Sequence, residues 1–210
     1  MKDDELFFRY HRMTPARFGH LLSVTLRFLA TGESQQSLSL SYRIGRNTVS
    51  TIVTETCEAL FTCLQAEYSR APSIIEEWQR ISTQLGISHF PHVIGAINGK
   101  HIRIECPKNS GTLYYKYKGF YSIVLLAVCD ANYCFTLFNV GAYGSNNDSG
   151  VLANSEMGNR FSDKNFHLPE DQDLCGCRPY KPLPYFQVAD DFFPLKSWLM
   201  RRYPGNNRSG

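Results

Sequence analysis

Phe120-Tyr121-Ser122-Ile123-Val124-Leu125-Leu126-Ala127-Val128-Cys129-Asp130 is the stretch whose reading decides the fold. Its nearly unbroken apolar run has the length and β-branched content of a buried strand. Cys134 to Val140 reads as a neighbouring strand, His92 to Asn98 as a short apolar one, and His101 to Cys106 as one alternating polar and apolar side chains. Asn98-Gly99 between the last two is a strong hairpin signal.

Upstream of His92 the period is helical. Thr14 is an N-cap followed by Pro15, and Phe18, Leu21, Leu22, Leu26 and Leu29 fall on one face of a helix over 15 to 31 that Gly32 ends. A short helix bears Leu38, Leu40 and Tyr42, Ile44-Gly45 supplies a turn, and Asn47 caps a longer helix bearing Val49, Ile52, Val53, Cys57 and Leu60. That is a helix-turn-helix pattern, whose second helix presents Arg46, Asn47 and Thr48 to a DNA groove; the same pattern also packs three helices without touching DNA. A fourth helix starts at Ser73, with a Ser73–Glu76 capping box, and runs through Trp78 and Ile81 to Gly86. These readings predict an α/β (α+β) chain with an all-α head at 1–92 and a sheet domain at 93–210. The stretch 162–184, with prolines at 169, 179, 182 and 184, reads as a long loop.

With 210 residues, 43% hydrophobic and 20% charged, the chain has the composition of a core-forming protein, not that of a disordered, collagen-like or coiled-coil one. Its longest apolar run, Ile123 to Cys129, is far short of a membrane span, and the acidic start Met1-Lys2-Asp3-Asp4-Glu5 does not read as a signal peptide. Seven scattered cysteines, an odd number, read as reduced thiols of a nuclear or cytoplasmic protein. The net charge is +3. Residues 1–92 balance at 9 basic and 9 acidic, and 136–210 at 8 and 8, so the excess of 5 over 2 lies in 93–135. There, Lys116 and Lys118 interleave with Tyr114, Tyr115 and Tyr117, a pattern that suits phosphates and exposed bases, or a strand edge with aromatic cross-strand pairs. Cys175, Cys177 and His167 lack the fourth ligand that a zinc reading requires.

Four blocks in order carry a resemblance: Gly95 to Ile104, Tyr117 to Asp130, Val140 to Ser149 and Leu183 to Leu195. They resemble the Harbinger-type transposases and the host nuclease-like proteins derived from them, which carry a DDE superfamily endonuclease domain. The resemblance implies a ribonuclease-H-like fold, a Mg or Mn site built from carboxylates, DNA as substrate, a DNA-binding partner protein and action in the nucleus, with the cytoplasm as a second compartment. Two metal ions stabilise the attacking and leaving oxygens of phosphodiester cleavage, and such ions take hard anionic oxygens. In the family pattern the first carboxylate ends the block that here reads Gly95-Ala96-Ile97-Asn98, the second follows the strand ending at Ala189, and the third is a downstream glutamate.

This sequence therefore nominates Asn98, Asp148 and Asp190 as site residues, with Asp190 the main carboxylate and Asp148 adjacent to the site. Asp190 also reads as a turn cap, and Asp148 as an N-cap. His101 reads as packing or as a substrate contact. Asn98 offers only a neutral oxygen, and no acidic residue follows Asp191, so weak or absent catalysis is expected. Three functions stay open: a metal-dependent nuclease remnant, a non-catalytic DNA- or partner-binding protein, and the product of a degraded transposon copy. A sheet face left bare by the absent glutamate helix would favour self-association.

Overall fold

The computed structural model describes Asp4 and residues 13–86, 91–173 and 182–201. The chain divides into two compact units, Met1–Ser69 and Arg70–Gly210.

In the first unit α1 (Pro15–Thr31) starts where Thr14 accepts the Arg17 backbone N–H, and stops where Gly32 turns left-handed at φ 65°. α2 (Gln35–Tyr42) is capped by Ser34 and ends at Arg43, whose left-handed backbone turns the chain into α3 (Arg46–Tyr68). Gly45, not Asn47, occupies the N-cap of α3; the helix begins earlier than expected, which places Asn47 inside its first turn. The buried face of α1 also differs from the expected one. Val24 and Thr25 are buried, whereas Phe18, Leu26 and Leu29 are exposed. The core is built from Val24, Leu38, Val49 and Val53, with Phe28 and Ile52 against them. Thr25 tolerates burial because its hydroxyl donates to the Leu21 carbonyl.

The second unit opens with α4 (Ile75–Gly86), so the boundary falls ahead of this helix instead of at 92/93. The reciprocal bond of its N-terminus comes not from Glu76 but from Glu77, whose carboxylate accepts the Ser73 N–H at 2.8 Å and pairs with Arg70. Arg70 first and the Ser73 N–H next hold the Glu77 carboxyl down at about 2.

A mixed sheet follows: β1 (Val93–Arg103), β2 (Tyr115–Lys116), β3 (Phe120–Cys129), β4 (Phe135–Tyr143), β5 (Phe186–Ala189) and β6 (Leu199–Arg201). β1 lies between antiparallel β3 and parallel β5; β6 extends the sheet parallel to β5, and β2 and β4 both pair with β3. Asn98-Gly99 makes no hairpin. It sits inside β1, opposite Ala127 and Leu126, and one long strand replaces the two expected ones. Between β4 and β5 come two short helices, α5 (Asp148–Asn154) and α6 (Glu156–Ser162). Their Val151, Leu152, Met157 and Phe161 join Trp78 and Ile81 of α4 over Ile97, Val124, Leu126, Val128 and Leu137. Trp78 is fully buried, and its indole N–H donates to the Phe166 carbonyl at 2.9 Å. This is the mixed α/β, ribonuclease-H-like arrangement that the sequence led us to expect.

The other face of the sheet is apolar and open among the described residues. Ile123 and Leu125 are half-buried there, and their cross-strand partners Ile102, Tyr143 and Val140 are exposed, as is Phe138. A register shift between Val128 and Cys129 separates Phe135 from Leu137, which plain alternation would put on one face: Phe135 is 56% exposed and Leu137 is buried. A face of this kind binds apolar probes. The chain is expected to raise the fluorescence of anilinonaphthalene sulfonate, and Phe138→Glu with Val140→Glu to lower that signal. Dye fluorescence equal to buffer alone would contradict the open face.

Candidate active site at the centre of the sheet

Four segments converge on one open cleft of about 630 Å³. β1 contributes Asn98, Gly99, Lys100 and His101; the β2–β3 turn contributes Lys116, Tyr117, Lys118 and Phe120; the β4–α5 connection contributes Gly144 to Ser149; the end of β5 contributes Asp190 and Phe192. All three nominated site residues and both nominated lysines of this unit therefore line a single cavity. Arg46, Asn47 and Thr48 belong to the other unit, where they form the exposed first turn of α3.

The sheet register explains the placement of Asp190. Ala96 pairs with Val188, and Asp190 follows directly on the end of β5, where it lines the same cleft as Asn98. Asp190 also serves its turn, since its carboxylate accepts the Phe192 N–H at 3.0 Å; the turn-capping and cleft-lining readings hold together. Asn98 is exposed, and its side-chain oxygen accepts the Gly99 N–H at 2.7 Å.

Asp148 is not the cap of its helix. Asn147 takes that role by accepting the Gly150 N–H, which frees the Asp148 carboxylate to lie against Gly99. Any side chain at position 99 would collide with it. One Asp148 oxygen is buried with no hydrogen-bond partner among the described residues. Gly99 therefore has a role that its reading as half of a turn signal concealed: a glycine inside a strand marks close approach of another group.

His101 lies on the face of β1 opposite Asn98 and still reaches the cleft. Its Nδ1 is 3.0 Å from the hydroxyl of fully buried Ser122. Burial lowers its pKa, Lys116 and Lys118 lower it further, and Asp148 opposes them, so the protonated form is disfavoured. Lys100 and Phe192 were missed by sequence reading. Lys100 could have been found by extending the β1 alternation through Asn98-Gly99. Phe192 has no sequence signal beyond its adjacency to the Asp190 turn.

The donors suit a hard divalent cation in reduced form. Asp148 supplies an unpartnered buried oxygen, Asp190 a second carboxylate and Asn98 a neutral oxygen. No group of three acidic, histidine or cysteine side chains able to hold a metal forms among the described residues. Cys175 and Cys177 lie outside those residues.

Residues 97–210 match the DDE superfamily endonuclease family. The chain is 30% identical over 203 residues to "Protein ALP1-like" of Arabidopsis thaliana, covering 93% of this chain and 47% of that protein. It is 26% identical over 181 residues to "Putative nuclease HARBI1" of Rattus norvegicus (83% and 46%), and 24% identical over 180 residues to the Xenopus laevis protein of that name (85% and 47%). The chain thus spans about half the length of the curated relatives it matches. No solved structure matches it.

The close approach at Gly99 generates a test. Gly99→Ala should cost about 1 kcal/mol in denaturant unfolding, the low end of overpacking because the obstructing atoms are the tip of a side chain. In an Asp148→Ala background the same substitution should cost nothing measurable. Equal costs in both backgrounds would remove Asp148 from that position.

Proposed function

This chain belongs to the DDE superfamily endonuclease family, and from that premise we propose that it is a transposase-derived, nuclease-like protein that binds DNA in the nucleus and hydrolyses it weakly or not at all. The observation that supports this reading is Asn98, an amide that lines the same cleft as Asp190 at the position where the family pattern has a carboxylate. Bound Mg or Mn would supply charge stabilisation to the attacking and leaving oxygens of a phosphodiester. Asp148 and Asp190 would supply the anionic oxygens for the cation, and Asn98, on the face of β1 opposite Asp148, offers only a neutral oxygen at the same cleft. With two anionic ligands in place of three, the affinity for a dication falls. The lysines of the cleft hold the phosphate backbone, and His101, with Nδ1 against the Ser122 hydroxyl, presents its remaining ring nitrogen as a hydrogen-bonding group. Arg46, Asn47 and Thr48 are exposed at the start of α3, which suits a second DNA contact of helix-turn-helix type. A DNA-binding partner protein would complement weak binding by this chain. No described helix is long and apolar enough to cross a membrane.

A second reading, DNA binding without catalysis, is favoured by the same Asn98 together with the basic-aromatic turn at 116–120. One assay separates the two. Incubated with supercoiled DNA and Mn²⁺, the chain is expected to nick no faster than its Asp190→Ala variant, while Asn98→Asp tightens Mn²⁺ binding in calorimetry by about tenfold or more. Clear nicking that depends on Asp190 would establish the nuclease reading instead.

Binding has its own signature. The affinity for duplex DNA should fall as salt rises, and Lys116→Ala with Lys118→Ala should reduce the log–log slope by about one for each phosphate that is no longer neutralised. A slope unchanged by both substitutions would take these lysines off the backbone.

A further inference from the structure

We propose that the cleft takes an unpaired DNA strand, its bases stacking on Tyr117 and Phe192 while Lys100, Lys116 and Lys118 hold its phosphates; this rests on the DNA-binding reading above and specifies the form of DNA.

The argument starts from a ladder in which cations and rings alternate. The Arg103 guanidinium lies 4.7 Å from the Phe120 ring centre, Lys116 Nζ is 5.9 Å from Phe120 and 5.8 Å from Tyr117, and Lys118 Nζ is 5.7 Å from Tyr117. Both lysines stand over the Tyr117 ring near the outer limit of about 6 Å for such interactions. The ring is 87% exposed. Its backbone is nevertheless fixed in a tight turn, where Gly119 takes φ 84° and donates its N–H to the Lys116 carbonyl at 2.9 Å. Phe192 is 81% exposed, and its backbone is fixed by the N–H bond to Asp190. Both rings line the same cleft as Asp148 and Asp190, and its volume of about 630 Å³ falls in the range of small-ligand sites.

Two exposed rings on anchored turns, flanked by three lysines, match what a single strand offers and a duplex does not. In a duplex both faces of every base are covered by stacking. An unpaired base exposes its π-face, and stacking on an aromatic side chain tolerates any base, while the cations track the backbone. Charge complementarity selects a polyanion, and the rings select its unpaired form.

The test compares a fluorescein-labelled oligothymidylate with a blunt duplex of equal length by anisotropy in EDTA, so that catalysis plays no part. Tyr117→Ala and Phe192→Ala are each expected to weaken oligothymidylate binding about fivefold or more while leaving duplex binding unchanged. Tyr117→Phe is expected to behave as the parent chain. Both positions are solvent-exposed, and circular dichroism of each variant checks that it folds. Equal weakening on both DNAs, or none on oligothymidylate, would overturn the proposal. If the parent chain binds the duplex through Lys116 and Lys118 but not the oligothymidylate, the proposal fails and the DNA-binding reading stands. If it binds neither at low salt, both fail.

Discussion

The antiparallel ladder that runs from Ala96↔Cys129 to Arg103↔Ser122 is the constraint on which the rest of the site depends. It holds β1 straight through Asn98 and Gly99, where the local sequence favours a turn. Because side chains alternate along a strand, a slip of one residue would exchange the two faces, sending Ile97 toward solvent and Asn98 into the core. Burial of Val124, Leu126 and Val128 beneath three helices fixes β3, and β3 in turn fixes β1. The parallel pairing with β5 then positions the end of that strand, from which Asp190 follows into the cleft that Asn98 lines.

Much of this was legible in the sequence wherever one segment's own pattern decides its structure. α1 has its cap, proline and terminal glycine, and occupies the residues its pattern specifies. β3 is an apolar run that only burial explains. The failures share one cause, which is that tertiary contact outranks local signal. Asn98-Gly99 is a turn in isolation and a strand when β3 pairs along it. The Phe18–Leu26–Leu29 stripe of α1 is periodic and exposed, because α3 packs against Val24 and its neighbours. Glu77 replaces Glu76 as the partner of Ser73 since α4 begins later than its capping box suggests. The nominated site residues came from motif order, which specifies which residues belong to the site but not how they approach one another. The seat of Asp148 on Gly99 could not be read from either.

Gly99 links the two halves of the cleft. With no side chain, it admits the Asp148 carboxylate from α5 to the face of β1 opposite Asn98. The same absence of a side chain that allows a turn in a free peptide here allows a close approach in a strand. Asp148 accordingly carries a buried, unpartnered oxygen, a state that costs free energy unless some ligand offsets it. The orphaned oxygen and the glycine beneath it are two parts of one arrangement, and each makes sense only in the presence of the other.

His101 reports which charge prevails at the wall of the cleft. Its ring lies within the influence of Lys116, Lys118 and Asp148, and after burial Lys116 has a larger effect than Asp148, so the protonated form is disfavoured. A carboxylate at position 98 would add a negative charge to the same cavity; the amide present does not. The potential therefore leans toward anions beside the β2–β3 turn and is left with two carboxylates, Asp148 and Asp190, elsewhere in the cleft. The amide at position 98 thus leaves the cleft one negative charge poorer than a carboxylate would, in the cavity that Lys100, Lys116 and Lys118 also line.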